Sequence, residues 1–163
     1  MSDSAIRKLS EHVLARCRAK KLLLATAESC TGGMIAAALT DIAGSSDVVE
    51  RGFVTYSNAA KTELLGVPAE LIARVGAVSE EVARAMASGA LAHAPVDLAV
   101  AVTGIAGPGG GSVEKPVGLV HFGLARRGGA LRAEHHVFPG DRDAVRRATV
   151  ERALQMLIEA TEA

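Results

Sequence analysis

The sequence is short of aromatic residues and of excess charge. Only 2% of its 163 residues are aromatic, with no Trp, so its apolar content favours helices packed on a sheet over an aromatic binding surface. Its 18 Lys and Arg balance 18 Asp and Glu, which leaves no electrostatic reason to bind DNA, RNA or an acidic membrane. We therefore expect neither a nucleic-acid partner nor a membrane partner.

Cysteines and long apolar runs are also scarce. Cys17 and Cys30 are too few for a disulfide framework, and the N-terminus has no secretory signal pattern. No apolar run approaches the roughly 20 residues that span a bilayer. These absences predict a cytoplasmic protein, and the length predicts one domain over residues 1–163.

Short apolar runs alternate with amphipathic segments along the chain. Residues 22–27 and 97–103 have the continuous apolar character of buried strands, and helical periodicity surrounds them. A Gly-rich turn at 127–129 predicts an antiparallel hairpin of strands 117–125 and 131–138. The pattern predicts an α/β fold, a three-layer α/β/α sandwich with a mixed, mostly parallel sheet of about five strands.

Two candidate nucleophiles follow the first predicted strand. Ser29 and Cys30 precede the Gly32-Gly33 pair, where the positive end of a predicted helix begins. A serine needs a base, and the five histidines form no triad signature. From the residues alone, Ser29 closes a turn or reacts, and Cys30 is a nucleophile or a buried, inert thiol.

Lys61 is a candidate base, because it lies early in a short predicted helix. A cation there is disfavoured by the helix dipole, and burial would lower the lysine pKa further. A neutral amine can activate a serine hydroxyl, whereas the alternative is a solvated surface lysine. Tyr56, the single tyrosine, lies at a strand end and is either a hydrogen-bond donor or a half-buried strand residue.

Thr103 ends a predicted strand and begins a glycine-rich loop, residues 104–111. Gly104 and Gly107 permit close approach of the backbone to a ligand, although the loop is neither a dinucleotide fingerprint nor a P-loop. Arg142 and Arg146 share one face of the last helix and suit a phosphate, or pair with nearby carboxylates. Glu28 and the pair 114–115 stay ambiguous, and no residue spacing indicates a metal site.

Five segments together resemble the CinA C-terminal domain family. The resemblance covers about residues 5–160 and rests on these motifs: Ala-Glu-Ser-Cys-Thr-Gly-Gly (27–33), Tyr-Ser-Asn (56–58) with Lys61, Val-Thr-Gly-Ile-Ala-Gly-Pro-Gly-Gly-Gly (102–111), Lys-Pro-Val-Gly (115–118) and Phe-Pro-Gly-Asp-Arg (138–142). Some members of this family consist of this domain alone, as we expect here, and these are similar to nicotinamide mononucleotide (NMN) deamidases of pyridine-nucleotide salvage. Larger relatives carry this domain behind one that resembles molybdopterin-binding proteins.

The resemblance implies an amidohydrolase that converts NMN to nicotinic acid mononucleotide and ammonia. It implies Ser29 as nucleophile and Lys61 as base, assisted by Tyr56 and Thr103, without metal or organic cofactor. We infer an oxyanion site at Gly32 and Gly33. The predicted substrate-binding residues are Gly32, Gly33, Gly104, Gly107 and Arg142, the last for the phosphate. We expect a small mononucleotide substrate and an assembly that is a homodimer or a higher homo-oligomer. Two alternatives to NMN hydrolysis stay open: a non-catalytic nucleotide-binding or regulatory module, and an amidase for another small amide.

Overall fold

The computed structural model describes residues 3–162 of the chain. Within them are five strands: β1 Leu24–Glu28, β2 Val49–Val54, β3 Leu98–Gly104, β4 Leu119–Arg126 and β5 Leu131–Val137. The same range holds six α-helices: α1 Asp3–Lys20, α2 Met34–Thr40, α3 Asn58–Leu65, α4 Ala69–Val75, α5 Glu80–His93 and α6 Arg142–Ala160. None of the helices described is both long and apolar enough to cross a membrane.

The five strands form one mixed sheet in the order β2-β1-β3-β4-β5. β1 pairs in parallel with β2 and β3, and β4 pairs antiparallel with β3 and β5. Four strands therefore point the same way and β4 alone is reversed. The central strands β1 and β3 are buried almost throughout, as their apolar runs predict. The predicted mixed, mostly parallel sheet is confirmed, as is the β4–β5 hairpin.

Helices cover both faces of the sheet and produce the predicted three layers. On one face, side chains of α1, α2 and α6 pack against β3 and β4, with Leu14, Ile35, Leu154 and Phe122 among the buried residues. On the other face, α3, α4 and α5 cover the small alanines of β1 and β3. Gly123 in β4 lets α5 approach the sheet closely, since a Cβ at this position would lie 2.3 Å from the Ala83 carbonyl oxygen.

Side-chain caps define where three of the helices begin. Ser57, Ser79 and Asp141 each accept a hydrogen bond from the backbone N–H three residues later. The second helix, α2, begins at Met34, directly after the glycine pair. Gly32 and Gly33 delay it, since their φ angles of +58° and +106° are incompatible with a right-handed helix.

Candidate active site

The predicted catalytic residues meet at the carboxyl ends of the parallel strands. Glu28, the last residue of β1, pairs with Val54 in β2 and with Val102 in β3. Ser29 therefore leaves the sheet between Thr103 on one side and the segment that begins at Thr55 on the other. This edge is where an open α/β sheet forms its ligand crevice.

Ser29 and Lys61 form a hydrogen-bonded pair at the bottom of this crevice. The Lys61 Nζ lies 3.0 Å from the Ser29 Oγ. It also donates to the carbonyl oxygens of Thr55 at 3.1 Å and Tyr56 at 3.3 Å. The Lys61 side chain is 1% exposed and Ser29 is 8% exposed, so the pair is almost completely shielded from water.

Burial prepares Lys61 to act as a base. Removal of the amine from water lowers the pKa of Lys61, an effect larger than the opposing influence of the Cys30 thiol. The hydrogen-bond partners of the amine are a hydroxyl and two carbonyls, none of which compensates a full positive charge as a carboxylate does. Lys61 is the fourth residue of α3, close to the positive end of that helix. The alternative of a solvated surface lysine is excluded by its burial.

Cys30 lines the same cavity but is not poised as a nucleophile. The side chain is 6% exposed, and burial raises its thiol pKa to about 12. The reactive thiolate form is therefore negligible at neutral pH. Of the two candidate nucleophiles in the turn, Ser29 is the one with a base beside it.

Glu28 holds the turn that carries Ser29. Its buried carboxylate accepts hydrogen bonds from the Thr31 hydroxyl at 2.5 Å, the Ile35 N–H at 2.8 Å and the Ala36 N–H at 3.0 Å. The last two groups belong to the first turn of α2, so Glu28 caps that helix from the preceding strand. The positive end of α2 is thus occupied by a side chain of the protein itself.

Gly32 and Gly33, which the sequence predicts to bind substrate, are not among the residues that line the cavity. The Gly32 N–H already donates to the Ser29 carbonyl oxygen at 3.1 Å. Both glycines supply positive φ angles that turn the chain from β1 into α2. A Cβ on Gly32 would lie 3.4 Å from an Arg146 side-chain nitrogen, and one on Gly33 would lie 3.5 Å from a Val54 methyl group.

The two arginines of the last helix have different positions. Arg146 donates to the carbonyl oxygens of Cys30 at 3.1 Å and Thr31 at 3.2 Å. It therefore stabilises the turn that follows Ser29 from outside the cavity. Arg142 lies at the mouth of the cavity, where it donates to the Gly107 carbonyl oxygen at 2.8 Å and to the Tyr56 hydroxyl at 3.1 Å. Arg142 is therefore the arginine that can meet an anionic ligand there.

Thr103 and the glycine-rich segment that follows it form a further side of the cavity. The Thr103 hydroxyl donates to the Ala77 carbonyl oxygen at 2.9 Å, in the connection between α4 and α5. Gly104 and Gly107 both line the cavity, but each is also required for packing. A Cβ on Gly104 would lie 2.7 Å from Val120, and one on Gly107 would lie 2.5 Å from Val117.

The cavity measures about 290 Å³ and contains no acidic side chain among its described lining. Its charged members are Lys61 at the bottom and Arg142 at the mouth. The complete lining is Ser29, Cys30, Tyr56, Asn58, Lys61, Ala77, Val78, Thr103, Gly104, Ile105, Ala106, Gly107, Gly109, Gly110 and Arg142. No group of His, Cys, Asp and Glu within residues 3–162 is arranged to hold a metal ion.

The structure thus brings together seven of the nine predicted site residues, all except Gly32 and Gly33. Sequence reasoning missed Ala77 and Val78, which carry no chemical signature in the sequence, and Asn58, which lies in the Tyr-Ser-Asn motif but was given no role. It also left Glu28 ambiguous, because its contacts with the Ile35 and Ala36 amides depend on the turn through Gly32 and Gly33.

Comparisons with known proteins agree on one family. The sequence model of the CinA C-terminal domain matches residues 6–161. The nicotinamide-nucleotide amidohydrolase PncC of Escherichia coli K12 is 54% identical over 157 residues, covering 96% of this chain and 95% of that protein. A CinA-like protein of Akkermansia muciniphila is 52% identical over 93% of this chain, which spans 37% of that protein's length.

A solved structure supports the same assignment. The competence/damage inducible protein CihA from Agrobacterium tumefaciens superposes on this chain with a TM-score of 0.95 at 50% sequence identity. The match covers 100% of this chain and 98% of that one. The chain belongs to the CinA C-terminal domain family.

Proposed function

We propose that this chain hydrolyses the carboxamide of NMN to nicotinic acid mononucleotide and ammonia, in pyridine-nucleotide salvage. The observation that carries the proposal is the buried Lys61 amine, 3.0 Å from the Ser29 hydroxyl. The guanidinium of Arg142 at the mouth of the same cavity adds the complement of a phosphate. A relative named nicotinamide-nucleotide amidohydrolase, 54% identical over nearly the whole chain, supports the choice of substrate.

Acylation begins at Ser29. The neutral Lys61 amine takes the hydroxyl proton as Ser29 Oγ attacks the carboxamide carbon, forming a tetrahedral intermediate. Lys61 then returns that proton to the departing nitrogen, the C–N bond breaks, and ammonia leaves. In the second half Lys61 takes a proton from water, the resulting hydroxide attacks the ester, and Ser29 leaves with the proton held by Lys61.

The oxyanion of the tetrahedral intermediate requires backbone N–H donors that face the cavity. The Gly32 N–H donates to the Ser29 carbonyl, and Glu28 accepts from the first amides of α2. The donor we propose instead is the amide of Cys30, the residue directly after the nucleophile and a member of the cavity lining.

The remaining side chains bind and orient the substrate. The Thr103 hydroxyl hydrogen is engaged by the Ala77 carbonyl, so toward the substrate Thr103 Oγ1 is an acceptor, which suits the carboxamide N–H groups. Tyr56, 60% exposed, covers the entrance and orients Arg142 toward the phosphate. Gly104 and Gly107 offer only backbone to the substrate, since a Cβ on either would point into Val120 or Val117.

Ammonia release from purified protein tests this assignment. We expect turnover of NMN and little of free nicotinamide, because nicotinamide has no phosphate for Arg142. Ser29→Ala and Lys61→Met should each lower kcat at least about 100-fold, as loss of a nucleophile or general base does. Cys30→Ala, the neighbouring thiol in the same turn, is the matched control and should stay within a few-fold.

Three results would contradict the proposal in different ways. Robust turnover by Ser29→Ala would remove Ser29 as nucleophile. A Lys61→Met rate within a few-fold of wild type would remove the base. Tight NMN binding by calorimetry with no ammonia released by wild-type protein would favour a non-catalytic nucleotide-binding module.

We also propose a single domain over residues 1–163, a homodimer as the assembly, and a cytoplasmic location. β5 lies at one edge of the sheet, and an edge strand with unpaired backbone groups supports pairing with a second copy. An intracellular mononucleotide as substrate supports the location. Light scattering after size exclusion tests the assembly, since a mass equal to one chain would contradict it.

A further inference from the structure

The segment between β3 and β4 is an exposed loop with a fixed base. We call residues 105–118 the glycine loop. At its base the Ile105 N–H donates to the Leu119 carbonyl at 2.9 Å, and the Gly118 N–H donates to the Ile105 carbonyl at 2.7 Å. Its tip, residues 108–114, is exposed throughout. Three glycines of this loop (107, 109 and 110) form one wall of the cavity.

The opposite wall is the connection between α4 and α5, which supplies Ala77 and Val78 to the cavity. Three successive carbonyls here each accept a side-chain hydrogen bond. The pairs are Lys115 Nζ to Val75 O at 2.6 Å, Ser79 Oγ to Gly76 O at 2.9 Å, and Thr103 Oγ1 to Ala77 O at 2.9 Å. This connecting wall is therefore held by donors from two other parts of the chain, Lys115 and Thr103, and by its own Ser79.

Lys115 is the donor that comes from the glycine loop. Its backbone is fixed in a tight turn, where Ser112 N–H donates to the Lys115 carbonyl and Lys115 N–H donates to Ser112 Oγ. Its half-buried side chain then crosses to Val75, the last residue of α4, where the negative end of a helix favours a cation.

Gly76 leaves the space that Lys115 occupies. A Cβ at this position would lie 2.7 Å from the Lys115 Nζ, and the φ angle of +84° independently favours glycine. The lysine contact is thus accommodated by the backbone of the connecting wall.

We propose that Lys115 is a positioning residue that fastens the glycine loop to the α4–α5 connection and so sets the spacing of the two cavity walls. Lys115 is absent from the described cavity lining, so it acts on substrate through Gly107–Gly110 on one side and Ala77–Val78 on the other. The kinetic part of this inference rests on the proposed hydrolysis of NMN, whereas the mechanical part does not.

The expected effect is on substrate binding more than on chemistry. Glycine-rich backbone has much conformational entropy to lose, and without the Lys115 side chain the loop keeps its base and its contact with Arg142 but loses its bond to α4. More of the cost of ordering the loop then falls on substrate binding. Ser29 and Lys61 are held by the sheet and α3, which the change leaves in place. Loss of Lys115 should therefore raise KM and leave kcat nearly constant.

The experiment compares Lys115→Met, Lys115→Arg and Lys20→Met in the full chain. Lys20 is the matched control, because its amine donates to a carbonyl at the end of α6, Thr161 O, away from the cavity. Steady-state kinetics with NMN are combined with hydrogen–deuterium exchange of residues 105–118 and 75–79. Lys115→Met should raise KM about tenfold, as loss of a hydrogen bond from a charged group does, with kcat within about twofold.

Exchange should accelerate in both walls of Lys115→Met and in neither wall of Lys20→Met. Lys115→Arg retains a donor and should recover KM to within about threefold of wild type. Unchanged exchange and unchanged KM in Lys115→Met would overturn the proposal. A fall in kcat alone, or a Lys115→Met chain that does not fold, would make the residue merely structural and overturn it as well. If wild-type protein releases no ammonia from NMN, the proposed function fails, and the exchange data still decide the role of Lys115.

Discussion

The buried carboxylate of Glu28 provides the sharpest test of how the nucleophile turn is held. In Glu28→Gln one carboxylate oxygen becomes an NH₂ group, which donates instead of accepting. If the amide keeps its oxygen at the Oε1 position, the Ala36 N–H faces an NH₂ group; in the other orientation, Ile35 N–H and the Thr31 hydroxyl lose their acceptor. Either way, at least one buried donor in α2 is left without a partner.

The magnitude follows from these contacts. A lost hydrogen bond to a charged group costs about 1.5–3 kcal/mol, and the easier burial of a neutral amide offsets part of that cost. We expect Glu28→Gln to lower the free energy of unfolding by about 2 kcal/mol. At about 2–4 °C per kcal/mol for a domain of this size, the Tm should fall by about 4–8 °C.

Urea denaturation with an unchanged m value measures this loss, and differential scanning calorimetry measures the Tm. Glu50→Gln is the matched control: Glu50 lies at the surface beside Arg51 and should change stability by less than about 0.5 kcal/mol. If Glu28→Gln is as stable as Glu50→Gln, the Glu28 carboxylate does not hold the turn that carries Ser29. In the same preparation kcat should fall, since Ser29 is the next residue along the turn.

Two further predictions concern pH. Burial lowers the pKa of Lys61, and only the neutral amine acts as the base. A plot of kcat/KM for NMN against pH should therefore rise with a midpoint below the ordinary lysine pKa of 10.5. A midpoint at or above that value would contradict a desolvated base. Hydrogen bonding by Arg152 lowers the Glu134 pKa from 4.5 to about 2, so the stability from this carboxylate is complete above pH 4.5 and is lost as pH falls toward 2. The difference in unfolding free energy between wild type and Glu134→Gln should shrink over that range in urea titrations, and a constant difference would argue against the ion pair.

The features of the fold that depend only on residues close together along the chain could be predicted from the sequence. Ser57, Ser79 and Asp141 cap helices because each can reach an amide three residues away, and Gly66 ends α3 with a positive φ of 71°. The apolar runs of β1 and β3 marked central strands. The layers and the mixed sheet followed from combining these elements, with the turn at Gly128 specifying the hairpin.

The site could be predicted in its residue types but not in its contacts. Ser29 and Lys61 are 32 positions apart, and their distance depends on the parallel pairing of β1 with β2. Arg142 and Arg146 had equal claims to the cavity in sequence. Only the packing of α6 against the nucleophile turn directs Arg146 to the back of that turn and leaves Arg142 at the mouth.

The pairing of Glu28 with Val54 has a consequence for where the chain can change length. Ser29 follows β1 and Lys61 follows β2, so the backbone ladder fixes the distance between their side chains. An insertion or deletion inside β2 would displace Lys61 by about 3.3 Å, more than a hydrogen bond can absorb. A change in length at the exposed residues 43–44 of the crossover would leave this distance in place, because the ladder restores the register beyond them. Tolerance to insertions is therefore set by the sheet, and not by distance along the chain from the nucleophile.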